Sequence, residues 1–288
     1  MRDLNYQLKQ LCRHCREGAY GTQNKRERML TLMANQLHAL GYRGMTTRSL
    51  KPKHVEALVK LWFDQGLSIG TLKNRMAAIR WWAHKVDKQN VVARANEHYG
   101  IPDRRFVTHE CKARTVTASQ LDKVRDEYVR MSLELQQAFG LRREEAMKFQ
   151  PSCADCGDHL VLKASWTKGG RERTIPIRTE AQRNVLNRAR RLAGLGSLIP
   201  SNRNYVQQLR IYEGNTLRAG LSRMHGLRHA YAQNRYEELT GWKAPAAGGP
   251  ESKALTRAQR ETDRRARLTI SRELGHEREA VTSAYCGK

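Results

Sequence analysis

The chain has 288 residues, enough for two ordinary domains, and its 53 Lys+Arg against 28 Asp+Glu give a formal net charge of +25. The basic residues run through the whole chain rather than gathering in a tail, so a folded, broadly cationic surface is expected, with nucleic acid the first candidate partner and an anionic membrane or ribosomal RNA the others. No apolar run approaches the roughly 20 residues that span a bilayer, and the opening MRDLNYQLKQLCRHC lacks the apolar core of a signal peptide, so an intracellular protein is expected.

Residues 1–100 read as helices. Within 26–40, Met29, Met33, Leu37 and Leu40 recur at helical spacing and Gly41 ends the run. Val55, Leu58, Val59 and Trp62 make one face over 52–65. Over 68–87, Leu72, Met76, Ile79, Ala83 and Val86 make a core stripe, and the opposite side carries Lys73, Asn74, Arg80, His84, Lys85 and Lys88. Such helices pack into a small basic bundle. One or both of Trp81 and Trp82 are expected to pack that bundle rather than stack on bases.

Residues 101–114 lack periodicity and read as a linker. A second domain over 115–288 opens at Thr117-Ala-Ser-Gln120, which has capping-box spacing. Short alternating runs at 159–164 and 173–178 flank Thr167-Lys168-Gly169-Gly170, which predicts a hairpin with Lys168 at its tip. Thr179-Glu-Ala-Gln182 caps the next helix, the Pro- and Gly-rich 241–250 is a loop, and the charged stretch 251–267 is expected as a solvated helix. Cys12/Cys15 and Cys153/Cys156 have spacing that suits zinc. A site would have to join both pairs or recruit His14, His109 or His159, so free thiols and no metal are expected.

The polar residues that carry chemistry lie in the second domain. Arg142 and Glu145 sit in Phe139-Gly-Leu-Arg-Arg-Glu-Glu145, Lys168 on the hairpin, and His225 and Arg228 in Met224-His-Gly-Leu-Arg-His229. His276 follows Leu274-Gly275, and Tyr285 comes nine residues later. Singly each is ordinary: an Arg in a basic protein is usually a solvated charge, and hairpin tips often carry Lys. In the order GLRREE, TKGGRER, HGLRH, LGH and AY they resemble the signature of the tyrosine recombinases, the phage integrase family, over 115–288. TLKNRMAAIRWW resembles the core-binding domain of integrases from bacterial mobile elements.

The resemblance implies a mainly α fold with a small β-hairpin, in which a helical core-binding domain and a mixed α/β catalytic domain close as a C-shaped clamp on duplex DNA. It implies a site-specific recombinase that needs no cofactor and integrates or excises a mobile element by cleavage, exchange through a Holliday junction and religation. Tyr285 would attack and form a 3′-phosphotyrosyl bond; Arg142 and Arg228 would clamp the non-bridging oxygens; Lys168 would protonate the leaving 5′-oxygen. His225 would serve as base or hydrogen-bond partner of the tyrosine, His276 would bond a phosphate oxygen, and Glu145 would orient Arg142. These cations would stand in for a metal ion, and no carboxylate cluster for one is apparent in the sequence. Lys73, Asn74, Arg80 and Lys85 of the bundle and Arg171 and Arg173 beside the hairpin are expected at DNA. Tyr231 and Tyr236 are expected to pack.

The implied partners are recombination sites in double-stranded DNA, a homotetramer across two such sites, and accessory bending or directionality proteins, in the bacterial cytoplasm at the nucleoid. A type IB topoisomerase-like relaxing enzyme would share the chemistry, and a non-catalytic DNA-binding regulator would share the surface but needs no tyrosine at 285. Two features depart from the family: the interval from Arg228 to His276 is longer than usual, as if 241–268 held an insertion, and three residues follow Tyr285 where many relatives continue into a helix that docks on the next protomer.

Overall fold

The computed structural model describes residues 3–104, 107, 110–276 and 278–288; His109 lies outside them, with 105, 106 and 108 of the same segment. The chain forms two compact units, Met1–Arg105 and Phe106–Lys288.

In the first unit, α1 (Asp3–His14), α2 (Tyr20–Ala39), α3 (Pro52–Asp64) and α4 (Ile69–Lys85) pack around one core. The expected stripes of α3 and α4 are buried, and Trp62 and Trp82 lie at its centre. Their indole N–H groups stay bonded inside the protein, Trp62 to Gln36 Oε1 at 3.0 Å and Trp82 to the Thr47 carbonyl at 2.9 Å, which lets the large rings enter the core at little polar cost. The expected helix over 26–40 is corrected: α2 begins at Tyr20 and turns Leu30, Met33, Ala34 and Leu37 inward. Met29 is only partly buried, and Leu40, past the last turn, is 41% exposed.

The second unit contains α5 (Ala118–Asp122), α6 (Glu127–Phe139), α7 (Arg143–Lys148) and α8 (Pro151–Ala154). The strands β1 (His159–Leu162) and β2 (Arg173–Pro176) follow, then α9 (Glu180–Ala193), α10 (Tyr205–Arg218), α11 (Gly226–Thr240), α12 (Arg257–Glu273) and α13 (Glu279–Cys286). Helix α6 is its axle. Met131, Leu135 and Phe139 join a core shared with the hairpin, α9, α11, α12 and α13, while Val129 and Leu133 join a second cluster with Tyr212, Leu221 and Leu227. Capping boxes form at Thr117 and Thr179, as their spacing predicts.

The hairpin is antiparallel, with Leu160 opposite Ile175 and Leu162 opposite Arg173. Its connection is longer than a tight tip, because residues Ala164–Trp166 coil into a 3₁₀ turn that buries Trp166. The segment 251–267 also differs from expectation: helix starts at Arg257, behind the Thr256 cap, and runs to Glu273. It is not merely solvated. Ala266 and Ile270 enter the core, and Asp263 and Arg267, one turn apart on that same side, are buried as a pair. All six cysteines are free, and among the described residues no group of three or more His, Cys, Asp or Glu is placed to hold a metal ion. None of the described helices is long and apolar enough to cross a membrane.

Candidate active site

Several elements of the second unit end at one place. Helix α6 stops at Gly140, whose φ of 61° lies in the left-handed region. A Cβ there would sit 2.6 Å from the Tyr231 ring, so both conformation and space call for glycine. The carbonyl that this turn frees accepts a hydrogen bond from Arg228 Nη1 at 2.5 Å. Two residues on, Arg142 is the N-cap of α7. Glu145 closes the cap: Oε2 accepts from the Arg142 backbone N–H at 2.7 Å, and Oε1 accepts from Arg142 Nη1 at 2.6 Å. The GLRREE motif is thus a local device that ends one helix, starts the next and fixes a guanidinium.

From the far side comes the C-terminal end of α12. The Leu274 carbonyl, one of those a helix leaves unpaired, accepts from Arg228 Nη2, from Arg142 Nη2 at 3.4 Å and from Arg173 Nη1 at 3.5 Å. Three cations meet there at the negative end of a helix dipole. Glu145 supplies their counter-charge. Arg173 grips it with two bonds, of 2.8 and 2.6 Å, and Arg228 Nη1 lies 4.0 Å away. Burial alone would raise the Glu145 carboxyl, but Arg173, Arg142 and Arg228 hold it at about 2.

Arg173 is therefore a correction. Its sequence context points it at DNA, yet it is 7% exposed and lies on the inner face of the hairpin with Leu160, Leu162 and Ile175. Its guanidinium is committed to Glu145, which makes it a buried partner and not a surface contact.

Arg228, 1% exposed, lies one turn into α11. Burial lowers its guanidinium to about 10, so it stays charged at neutral pH. Its Nε donates to the Tyr285 hydroxyl at 3.3 Å, and the guanidinium carbon lies 5.7 Å from the Tyr285 ring centre. Tyr285, 8% exposed, is on α13, which docks on α11 and α12. Around its ring stand His229 at 4.8 Å and His225 and His276 at 6.1 Å each, centre to centre. His276 also meets Arg142, with Nε2 and Nη2 3.4 Å apart. The guanidinium can only donate, so this contact favours the tautomer protonated at Nδ1. Burial, then the Arg228 and Arg142 charges, hold His276 at about 4. Burial and His225 do the same to His229. His225, exposed at the N-cap of α11, is lowered by partial desolvation and the same two arginines. All three imidazoles are neutral at pH 7, surrounded by fixed positive charge.

The structure thus brings together Arg142, Glu145, His225, Arg228, His276 and Tyr285. It leaves Lys168 apart, exposed in the loop between the strands, with no hydrogen bond or ion pair among the described residues. The turn beside it is built by Thr167, whose Oγ1 donates to the Arg171 carbonyl at 2.5 Å and accepts from the Arg171 N–H at 3.1 Å.

Other nearby nucleophiles are withheld. The Tyr231 hydroxyl donates to Glu273 Oε2 at 2.7 Å and the Tyr236 hydroxyl to Asp263 Oδ1 at 2.5 Å. Burial raises both, Tyr236 to about 12. Burial likewise pushes the Cys286 thiol to about 12. Sequence reasoning placed His229 at the end of the HGLRH motif but gave it no role, although it stands four residues after His225 and so on the same helix face. It also missed Gln233, whose Nε2 donates to the Tyr285 carbonyl at 3.0 Å, and no residue type could have announced the Leu274 carbonyl.

On the first unit, the residues expected at DNA have protein partners. Lys73 pairs with Asp103 at 2.7 Å and Lys85 pairs with Glu17. Arg80 donates to the Ala93 carbonyl at 3.1 Å and to Asn96 Oδ1 at 2.9 Å, bracing the chain after α4. Asn74 is exposed. Trp82 is core, whereas Trp81 is partly covered, donating to Glu17 Oε2 at 3.0 Å beneath Arg26.

Residues 1–92 match the family described as "Phage integrase, N-terminal", and residues 103–234 match the one described as "Integrase". No curated protein matches in sequence. Among solved structures, a lambda integrase dimer bound to a COC′ core site is similar at 14% identity and a TM-score of 0.64, over 98% of this chain and 76% of that one. The Tn1549 transposon integrase in complex with circular intermediate DNA is similar at 14% identity and a TM-score of 0.58, over 99% and 95%. The XerH site-specific recombinase bound to a palindromic difH substrate gives 16% identity and 0.59, over 98% and 80%. Two successive family matches that together take in most of the chain, and one fold shared with these structures, lead to the same conclusion: this chain belongs to the tyrosine recombinase (phage integrase) family.

Proposed function

We propose that this chain is a site-specific DNA recombinase that cleaves and rejoins duplex DNA through a 3′-phosphotyrosyl intermediate, with Tyr285 as nucleophile. The observation that carries the reading is the Tyr285 hydroxyl resting on Arg228 Nε, with Arg142 and His276 converging on the same carbonyl corner. Three guanidiniums against one carboxylate leave two positive charges, the number that a dianion-like phosphorane needs. Arg173 and Glu145 neutralise each other, so Arg142 and Arg228 face the phosphate. A guanidinium has five N–H groups and Arg228 commits three here, leaving one on each Nη for non-bridging oxygens.

In the reaction, the Tyr285 hydroxyl loses its proton to neutral His225 while Arg228 Nε stabilises the developing phenolate. The bond from the tyrosine oxygen to phosphorus forms as the bond to the 5′-oxygen breaks, and Lys168 gives that oxygen a proton. The ester is conserved in the adduct, so a 5′-hydroxyl can attack it and reseal the strand without ATP. Both units would engage the same duplex. A tetramer spanning two recombination sites, at the nucleoid of a bacterial host, would carry out the exchange.

A nicked suicide substrate tests the reading. The wild type should become covalently attached to a DNA 3′ end, and Tyr285→Phe should bind the same DNA and form no adduct. Adduct from the Phe variant would move the nucleophile elsewhere. Substituting sulfur for the bridging 5′-oxygen tests Lys168, because a thiolate leaves without protonation. That substrate should rescue Lys168→Ala but not Arg142→Ala; rescue of His225→Ala in place of Lys168→Ala would make the histidine the acid.

A further inference from the structure

The helix that carries the nucleophile is only eight residues long, and a helix this short cannot hold its own position. Its last carbonyls have no helical partners, and two buried side chains take them up. Gln233 Nε2, from α11, donates to the carbonyl of Tyr285 itself at 3.0 Å. Arg267 Nη1, from α12, donates to the Gly287 carbonyl at 2.8 Å. Both clamps are set from behind. The Gln233 Oε1 accepts from the Cys111 thiol at 3.4 Å, which fixes the amide so that its NH₂ points at Tyr285. Arg267 Nε is held by Asp263 Oδ1 and Oδ2 at 2.8 and 2.9 Å, and Asp263 in turn accepts from Tyr236. Arg267 is 2% exposed, Gln233 6% and Asp263 7%, so these are bonds made where an unpaired group would be costly. Gly287 seats the end of the clamp, since a Cβ there would lie 2.8 Å from the Ala246 nitrogen in the 241–250 loop.

We infer that Gln233 and the Asp263–Arg267 pair are positioning residues for the nucleophile, gripping the tyrosine-bearing turn by its backbone so that the hydroxyl rests on Arg228. The extra length between Arg228 and His276 then has a use, because it brings in Arg267 and the loop against which Gly287 seats. The inference rests on the reading of Tyr285 as nucleophile.

The test must separate a misplaced nucleophile from a damaged fold. Arg267→Ala alone would strand a buried aspartate and risks unfolding, so the informative variant removes both charges, Asp263→Leu with Arg267→Met, beside Gln233→Leu. Each is compared with wild type by urea unfolding, by affinity for the nicked site, by first-turnover adduct formation, and by ¹⁹F spectra with fluorotyrosine at position 285. Folded variants should bind DNA as the wild type does and form adduct at least about tenfold more slowly, since small misplacements of reacting groups carry penalties of that order. The single ¹⁹F line of the wild type should broaden or split. Arg267→Lys, which keeps a donor within reach, should recover part of the rate. The inference is overturned by an unchanged adduct rate and ¹⁹F line, by a rate that falls only in step with affinity, or by variants that do not fold. A wild type that forms no adduct at all would instead overturn the recombinase reading.

Discussion

Arginine and lysine do different work in the two units. On α4 of the first unit, Lys73 and Lys85 keep company with Asp103 and Glu17, carboxylates that are themselves well exposed. Such pairs are weak and readily exchanged, so a phosphate can replace the carboxylate. In the second unit, Arg228 and Arg173 are buried around Glu145 and a carbonyl, in positions that no ligand has to create. On the proposed reading, one unit holds its cations loosely for an extended polyanion, and the other fixes them in advance for a single phosphate. In sequence the two kinds of cation look alike.

The largest effect that separates them concerns Glu145. Glu145→Gln removes the counter-charge from three guanidiniums, and unfolding in urea should show a loss of roughly 3–5 kcal/mol, the usual consequence of stranding buried charge. A loss below about 1 kcal/mol would mean that the cluster is as exchangeable as the surface pairs. Next comes Arg142→Lys, which keeps the charge and loses the planar fork. Adduct formation should slow by about 10²–10³ while DNA affinity stays near wild type; equal falls in both would assign Arg142 to binding alone.

Acid provides a third probe. His276 and His229 are held at about 4 in the folded chain, below the ordinary 6.5, so between those limits the unfolded chain binds protons that the folded chain refuses. Stability contributed by these histidines is complete above about pH 6.5 and is lost as pH falls toward 4. The urea midpoint should drop over that window, and less so in His229→Gln. Glu145, held at about 2, keeps its contribution until pH falls below the ordinary carboxylate value of 4.5, and so yields later than the histidines. A bound phosphate should raise the His276 titration, visible by NMR; no movement would remove it from the phosphate site.

The smallest effect belongs to the first unit. Lys73→Gln with Lys85→Gln should leave the urea midpoint unchanged and make the slope of log K against log salt shallower by roughly two units, about one for each phosphate no longer neutralised. Arg80→Gln should leave the slope alone and loosen the chain at Ala93–Asn96 instead. A slope change in that variant would show that Arg80 leaves its protein partners for DNA.

Much of this could be read from the sequence because it is written in side-chain type and short-range spacing. The stripes of α3 and α4, the capping boxes at Thr117 and Thr179 and the clustered Arg142, His225, Arg228, His276 and Tyr285 are of that kind. Where spacing runs through charged residues it misleads. The alternation of β2 places Arg173 beside Ile175 on the inner face, but a charge there looks like a surface residue until its partner is seen 28 positions away. The same holds for Asp263 and Arg267, whose burial depends on Tyr236 and Gly287. Lys168 remains outside the cluster because it sits exposed in the loop between the strands, where nothing in the local sequence fixes its direction.

The meeting of Arg142, Arg173 and Arg228 on the carbonyl of Leu274 bears on how this corner can change. Every amino acid brings a carbonyl, so no side-chain substitution at 274 can delete this acceptor; selection there acts on the shape of the side chain and is blind to the electrostatics. What the hub cannot survive is a shift of phase. One residue inserted into α12 would rotate its end by about 100° and swing the oxygen away from all three arginines, although every residue that a comparison of sequences would inspect is still present. The site should therefore tolerate altered composition at this corner far better than altered length.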